Sequence, residues 1–524
     1  VNRHIEEGAQ PLDAAFVAAR ELVGPILAMT VVLVAVYVPI GFQGGLTGAL
    51  FTEFAFTLVG AVTVSMIVAL TLTPMMCSRL LKVHLTDRSG WEERLSDFID
   101  RRYSEIHRPY VRMLHGSLNT IPVTLVFASI VLGSIYFLYV GAKTELAPNE
   151  DQGGIFAQAT YAPNATLQQK LLSSEQIIKV FQSFPETAHA LRVDSPGQSL
   201  AISVLTPWEE RTRTADQLQP LMQADINKIA GAQIAIFQLP PLPGARGLPV
   251  QFAIGTTRGF NELNEASAAF MQEAQKSGLF VFLTKDLYVD NPQYSIVIDR
   301  DKAAALGLNM TNVGAALGSM LGGGYVNYFS LDTRSYQVIP QVEQRSRQNI
   351  DQIMNYTIAT VNGAPIPLSA IATAKLEATP RQISHFQQIN AATISGIPAP
   401  GVSTGQALAD LKSIADRTLP AGYSVDYGGP SRQFVQESSG ILTTFALALI
   451  IIFLALSAQF NSFRDPLIIL VSVPMSIAGA LTFISLGLGG ATMNIYTQVG
   501  LVTLMGLISK HGILITEVAN TQQA

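Results

Sequence analysis

The chain has 524 residues, a net charge of −5 at pH 7 and a pI near 5.9, which excludes the basic footprint that nucleic-acid binding requires. Hydrophobic residues make up 48%, charged residues only 14%, and mean hydropathy is +0.32. Because the charges cluster between long apolar tracts, this composition excludes a single soluble globule and describes a membrane protein with a large aqueous part.

The opening residues Val1-Asn2-Arg3 hold no initiator Met and no signal peptide, so the chain is expected to be an internal stretch of a longer protein. Residues 1–22 are read as the cytoplasmic-side end of a preceding helix or loop. Apolar stretches at 23–42 and 54–76 follow, each with the roughly 20 residues a bilayer crossing needs, and 23–83 is assigned to two transmembrane helices. The next connection, 79–120, carries Arg79, Lys82, Arg88, Arg94, Arg101, Arg102, Arg108 and Arg112, whereas 43–53 and 489–494 carry no Lys or Arg. The basic side is cytoplasmic by the positive-inside rule. Within that connection 84–120 is expected to be an amphipathic helix, since Trp91, Leu95, Phe98, Ile99, Ile106, Met113 and Leu114 fall near helical spacing. It lies along the membrane surface or packs on the bundle. A third span covers 121–141, and alternation then places 142–440 outside the cytoplasm.

That external region is too long for one core. Strand-like stretches occur at 155–161, 201–205, 234–237, 250–254, 294–298, 356–361 and 391–397, and helical ones at 167–184, 215–229, 260–277, 310–321 and 404–417. Strand-helix-strand order with single crossovers points to α/β or α+β sandwiches, each a sheet with helices on one face. Asn362-Gly363 predicts a hairpin turn into a strand at 365–371. The runs Leu239-Pro240-Pro241-Leu242-Pro243-Gly244 and Gly322-Gly323-Gly324 mark boundaries or exposed loops. Three more spans, 441–458, 467–488 and 496–518, complete the chain within 441–520, with Arg464 on the cytoplasmic side.

Lys510 lies in the interior of the last apolar run. An ionisable group there costs a few kcal/mol, so it usually faces the bundle interior, pairs with a carboxylate and marks an ion pathway. Snorkelling is the competing reading. Lys510 is about 12 Å short of Val518 at 1.5 Å per residue, beyond a lysine stem of about 6 Å.

Enzyme and metal signatures give little. Gly401-Val402-Ser403-Thr404-Gly405 fits G-x-S-x-G, but Pro398 and Pro400 interrupt the strand a nucleophile elbow needs, so Ser403 or Thr404 is read as a helix N-cap. No phosphate-binding G-x-x-x-x-G-K-[ST] loop is present. Cys77 is the single cysteine, the seven histidines form no H-x-x-x-H or His-Cys cluster, and Met75-Met76 is one pair in a span. No metal is expected.

Several stretches in order resemble the middle half of a resistance-nodulation-division efflux pump of the hydrophobe/amphiphile type. They are Val36-Tyr37-Val38-Pro39 through Gly44-Gly45-Leu46-Thr47-Gly48, Leu70-Thr71-Leu72-Thr73-Pro74, Pro148-Asn149-Glu150-Asp151-Gln152-Gly153, Asp299-Arg300-Asp301-Lys302-Ala303, Gly323-Gly324-Tyr325-Val326-Asn327 and Gly506-Leu507-Ile508-Ser509-Lys510. The resemblance implies a membrane helical bundle plus a periplasmic α+β region made of ferredoxin-like porter subdomains and a docking domain. It also implies an inner-membrane homotrimer of a Gram-negative cell, working with a periplasmic adaptor and an outer-membrane channel. Such a pump is driven by the proton gradient, needs no other cofactor, and exports small amphiphilic compounds.

By the same resemblance, Lys510 matches the relay lysine, whose two carboxylate partners lie upstream of Val1. One porter subdomain would be 155–238, the next 250–285 with 391–428, and the part between mainly docking domain. Phe237, Leu239 and Ile202 would lie on the substrate pathway, with core packing as the competing reading for Phe237 and Leu239. The loop Asp194-Ser195-Pro196-Gly197-Gln198 falls where the family has a longer, glycine- and phenylalanine-rich switch loop. A membrane protein of the same superfamily that moves polypeptide or lipid is the alternative, and a membrane-bound periplasmic hydrolase rests on Ser403 alone.

Overall fold

The computed structural model describes residues 1–81, 91–195, 198–244, 247–361 and 364–523. A short α1 (Asn2–Glu6) leads into α2 (Pro11–Gly41), which starts well before the apolar stretch at 23. Pro11 sits at the first turn, where a missing N–H is harmless, and Asp13 complements the helix dipole there. Residues 11–22 therefore belong to the same helix as the first span, although Asp13, Arg20 and Glu21 lower their hydropathy. After the turn, α3 (Gly45–Leu80) runs back antiparallel; α4 (Trp91–Asn119) and α5 (Ile121–Gly141) follow. On α4 the apolar side chains Ile99, Ile106 and Met113 are exposed. The part of the expected amphipathic helix before Trp91 lies outside the described residues.

The first external unit has the order β1 (Gly154–Tyr161), α6 (Leu167–Gln182), β2 (Thr187–Asp194), β3 (Gln198–Leu205), α7 (Ala215–Ile226), β4 (Ala232–Phe237). Its antiparallel sheet runs β2-β3-β1-β4. Both helices begin with a Thr-x-x-Gln capping box, Thr166 with Gln169 and Thr214 with Gln217, which satisfies backbone donors otherwise left open. Alternation along β1 sends Ile155, Ala157, Ala159 and Tyr161 against Ile177, Phe181, Leu218 and Met222.

The second unit repeats this topology. It consists of β5 (Val250–Thr256), α8 (Phe260–Lys276), β6 (Phe280–Lys285), then β14 (Ile389–Pro398), α12 (Thr404–Thr418) and β15 (Tyr423–Tyr427). β14 lies between β5 and β6, and β15 pairs with the other edge of β5, so the order is again second, third, first, fourth. Phe252 and Phe270 stack in its core with centroids 5.4 Å apart.

A third segment is inserted between β6 and β14. It contains β7 (Val289–Ile298), α9 (Arg300–Ala305), α10 (Met310–Leu321), a hairpin of β8 (Asn327–Leu331) and β9 (Arg334–Val338), α11 (Ile350–Met354), β10 (Thr357–Val361), β11 (Ala364–Pro367), β12 (Ala372–Pro380) and β13 (Ser384–Phe386). β12 pairs along β7, while β13 joins the edge of β14. Val361 pairs with Ala364 across the expected turn, whose residues Asn362 and Gly363 lie outside the described ones. The strand expected over 365–371 ends at Pro367, because a helical turn at Leu368–Ala370 puts Leu368 and Ile371 into the local core.

The chain returns through α13 (Gly429–Phe460), which starts outside the expected span and packs onto the second unit. There Ser431 Oγ accepts from the Gln251 N–H at 2.9 Å and the Gly428 N–H donates to the Gln251 carbonyl at 3.1 Å. Its Glu437 carboxylate accepts from the Leu46 and Thr47 N–H groups at 2.8 and 3.1 Å, an anion on the N-terminus of α3. Gly45 fits there because its φ is +75° and a Cβ would lie 2.5 Å from that carboxylate. α14 (Arg464–Ser485) and α15 (Ile495–Gln523) complete the bundle, whose core holds Val32, Val36, Ile40, Ile452, Leu456, Ile469, Val473 and Met505.

Asp151 fastens the entry to the first unit. Its carboxylate accepts from Arg211 at 2.8 Å, Ala215 N–H at 2.8 Å and Gly153 N–H at 3.0 Å. Burial pushes its carboxyl up, but the Ala215, Arg211 and Gly153 donors outweigh that and hold it below the ordinary value. The stability it contributes is therefore complete above the ordinary carboxylate range and is lost as pH falls through the lowered value. Asp151→Ala leaves the buried Arg211 without its carboxylate, at a cost of about 3–5 kcal/mol. The variant is expected to aggregate at a clearly lower temperature than wild type when detergent-solubilised; an unchanged temperature would remove Asp151 from this structural role.

Candidate functional site

A cavity of about 590 Å³ lies between the two repeated units, within the range of sites for drug-sized ligands. One wall comes from the end of β4 and from α7, through Ile236, Phe237, Gln238, Gln219 and Gln223. The other comes from Val281 and the turn 397–402, and Glu145, Leu146 and Pro430 close it toward the membrane. Prolines 240, 241, 398 and 400 supply rigid, donor-free surface.

Phe237 lines this cavity and is 5% exposed. Strand register places Leu191, Ile202, Phe156 and Phe237 in one row across the sheet, on the face opposite α6 and α7. The Phe156 and Phe237 rings stack with centroids 5.9 Å apart. Ile202 and Phe237 therefore share an apolar sheet face, and Phe156 is the member that sequence reading missed. The phase of β1 contained the signal: with Ile155 and Ala157 directed at the helices, Phe156 must face the other way. Leu239 is exposed and does not line the cavity, whereas its neighbours Gln238 and Pro240 do.

Beyond β2 the Ser195 N–H donates to the Gln198 carbonyl at 2.9 Å, and Asp194 pairs with Ser199. Asp194 also forms an ion pair with Arg192 at 3.5 Å. Pro196 and Gly197 lie outside the described residues.

Below the cavity, residues 143–146 run beside residues 492–495. Met493 N–H donates to the Lys143 carbonyl at 2.8 Å, Glu145 N–H to Met493 at 3.1 Å, and Ile495 N–H to Leu146 at 3.2 Å, with Thr144 and Met493 forming a parallel bridge. The buried Asn494 caps α15 by accepting from the Tyr496 and Thr497 N–H groups at 3.0 and 3.1 Å. Its amide donates to Thr492 Oγ1 at 2.9 Å, and that hydroxyl donates to Glu145 Oε1. A continuous hydrogen-bond chain thus joins the N-terminus of α15 to a carboxylate of the cavity. Burial pushes the Glu145 carboxyl up, opposed by the Thr492 hydroxyl and the nearby Lys143 charge.

Lys510 lies on α15 about 24 Å along the axis from Asn494 at 1.5 Å per residue. Its orientation follows from the glycines beside it. A Cβ on Gly506 would lie 3.1 Å from Leu33, and one on Gly512 2.7 Å from Ile469, so this side of α15 seats against α2 and α14. Ser509 is fully buried on that side, and Lys510 is turned outward with Leu507 and Leu514. Within this chain Lys510 therefore does not face the interior of the six-helix bundle. It forms no ion pair with a described residue.

The G-x-S-x-G match resolves structurally. Ser403 is the N-cap of α12, its hydroxyl accepting from Gln406 N–H at 3.2 Å. Gly405 allows a close approach, because its N–H donates to the Thr144 carbonyl at 3.1 Å and a Cβ would come within 2.0 Å of Thr144 Oγ1.

The family model of the AcrB/AcrD/AcrF proteins matches residues 1–524. The chain belongs to the AcrB/AcrD/AcrF family. Among its relatives, an uncharacterized transporter of Haemophilus influenzae is 37% identical over 100% of this chain and 51% of its own length. The multidrug/solvent efflux pump membrane transporter MepB of Pseudomonas putida is 30% identical over 98% of this chain and 50% of its own. The multidrug export protein AcrF of Escherichia coli is 27% identical over 98% and 51%. The chain spans about half the length of the curated relatives it matches. Membership of the AcrB/AcrD/AcrF family bears out the resistance-nodulation-division permease expected from the motifs.

Because Ser403 caps α12, Ser403→Ala is expected to lower stability by about 1 kcal/mol, read as a shift in the thermal unfolding of the detergent-solubilised protein. Esterase activity in the wild type that vanished in this variant would contradict the assignment.

Proposed function

We propose that this chain is part of an inner-membrane permease of a Gram-negative cell that exports hydrophobic or amphiphilic compounds by exchanging them for protons. The observation that carries this reading is the cavity beside the Phe156–Phe237 sheet face, joined through Glu145, Thr492 and Asn494 to the helix bearing Lys510. The names of MepB and AcrF, a multidrug/solvent efflux pump and a multidrug export protein, point the same way.

In the mechanism, Lys510 meets carboxylates supplied from outside this chain. As those carboxylates protonate and release, the lysine's electrostatic partner is lost and regained, which biases the packing of α15. The hydrogen-bonded link at its N-terminus carries that displacement to the wall of the cavity. The two repeated sheets act as ferredoxin-like porter subdomains, a reading supported by their shared strand order. The short Asp194–Gln198 loop stands where the family has a longer switch loop and limits which substrates pass along the sheet face. The inserted segment is the docking domain. Its β8–β9 hairpin exposes Tyr328, Phe329 and Tyr336, and a two-stranded hairpin is marginal alone, which supports burial against another subunit of a homotrimer. The periplasmic adaptor and the outer-membrane channel complete the assembly by family resemblance.

Lys510→Ala is expected to abolish export while leaving membrane insertion and trimer assembly intact. Accumulation of a fluorescent amphiphile in cells with matched protein levels measures this. Wild-type export by the variant would remove Lys510 from the relay.

A further inference from the structure

The cavity has an electrostatic asymmetry that hydrophobic export alone does not require. Among its described lining residues the formally charged side chains are Glu145 and Asp216, both acids, and no Lys or Arg is present. The two acids are not equivalent. Asp216 is exposed on the first turn of α7, where its Oδ1 already accepts from Gln238 Nε2 at 2.7 Å. Glu145 is half-buried at the membrane end, its Oε1 held by Thr492, and its Oε2 accepts no hydrogen bond from a described residue. Lys143 is exposed and does not line the cavity.

From this arrangement we infer that Glu145 is a specificity-determining residue through which the cavity favours cationic amphiphiles, an inference that rests on the export reading above. A cation placed at Oε2 would have its apolar tail along Phe237, Leu242 and Val402, the surface a hydrocarbon chain needs. Burial already disfavours the bare carboxylate, and an arriving cation offsets that desolvation whereas a neutral or zwitterionic headgroup does so less. Thr492 acts as a positioning residue, because its hydroxyl fixes one carboxylate oxygen and leaves the other toward the ligand.

The test compares hexadecyltrimethylammonium with a sulfobetaine of the same chain length in cells producing the intact transporter at matched levels. Glu145→Gln keeps an oxygen for the Thr492 hydroxyl and removes only the charge. Resistance to the cation is expected to fall about fivefold, the size of a partly screened charge pair, with resistance to the sulfobetaine little changed. The purified transporter should show the same loss in affinity for the fluorescent cation rhodamine 6G, read per folded protein, and Glu145→Asp should restore most of it. An equal effect on both detergents, or none on either, overturns the inference and leaves export standing. If the wild type protects against neither, the export reading falls and takes the inference with it.

Discussion

The backbone pairing of residues 143–146 with 492–495 is the constraint on which the rest of the structure depends. The first stretch leaves α5 and enters the first external unit, and the second opens α15. Their hydrogen bonds fix where the cavity sits relative to the bundle. Thr144 also accepts from Gly405 of the second unit, so both cavity walls are referenced to one strand-like segment. Removing a buried backbone hydrogen bond leaves an unsatisfied polar group, which costs about 1–3 kcal/mol. A junction built from several such bonds resists independent movement of its parts. Asp151 and Glu437 reinforce it from either side, one by tying the chain after α5 to α7, the other by seating α13 on α3.

A second constraint acts on α15 through its glycines. Gly506 and Gly512 bring the helix close enough to α2 and α14 for van der Waals packing to set its rotation. Lys510 then faces away from the six helices as a geometric consequence, together with Leu507 and Leu514. That face of the helix is exposed, while its start remains anchored at the cavity end by Asn494 and Thr492. One helix thus carries Lys510 toward one end and the cavity contact at the other.

Much of this was legible in the sequence because it rests on strong periodic signals. The apolar spans, the helices of the external units and most of their strands follow from hydropathy and alternation, and Met310–Leu321 forms over the expected residues. The Ser403 cap was legible from its place before a helical run. β2 was not, because its helix-facing positions hold Ala190, Arg192 and Asp194 in place of an apolar set, with Arg192 reaching the Leu171 carbonyl and the Ser174 hydroxyl. The early starts of α2 and α13 were hidden by charged residues that lie on helices outside the apolar segments. The Lys143–Leu146 pairing was invisible for a different reason: it joins distant stretches of the chain, Lys143 to Met493 among them, by backbone bonds, for which side-chain composition carries no signature. The orientation of Lys510 depended on glycine contacts between helices, which no single-helix pattern encodes.

The central claim is that the start of α15 and the membrane end of the cavity move as one piece. Hydrogen–deuterium exchange of the reconstituted transporter tests this most directly, by comparing peptides covering 143–146 and 492–495 with and without an imposed proton gradient. The account predicts that the Glu145, Met493 and Ile495 amides stay protected to the same degree in both conditions. Rapid exchange of these amides once the gradient is applied would mean that the junction opens under it, and would contradict the account.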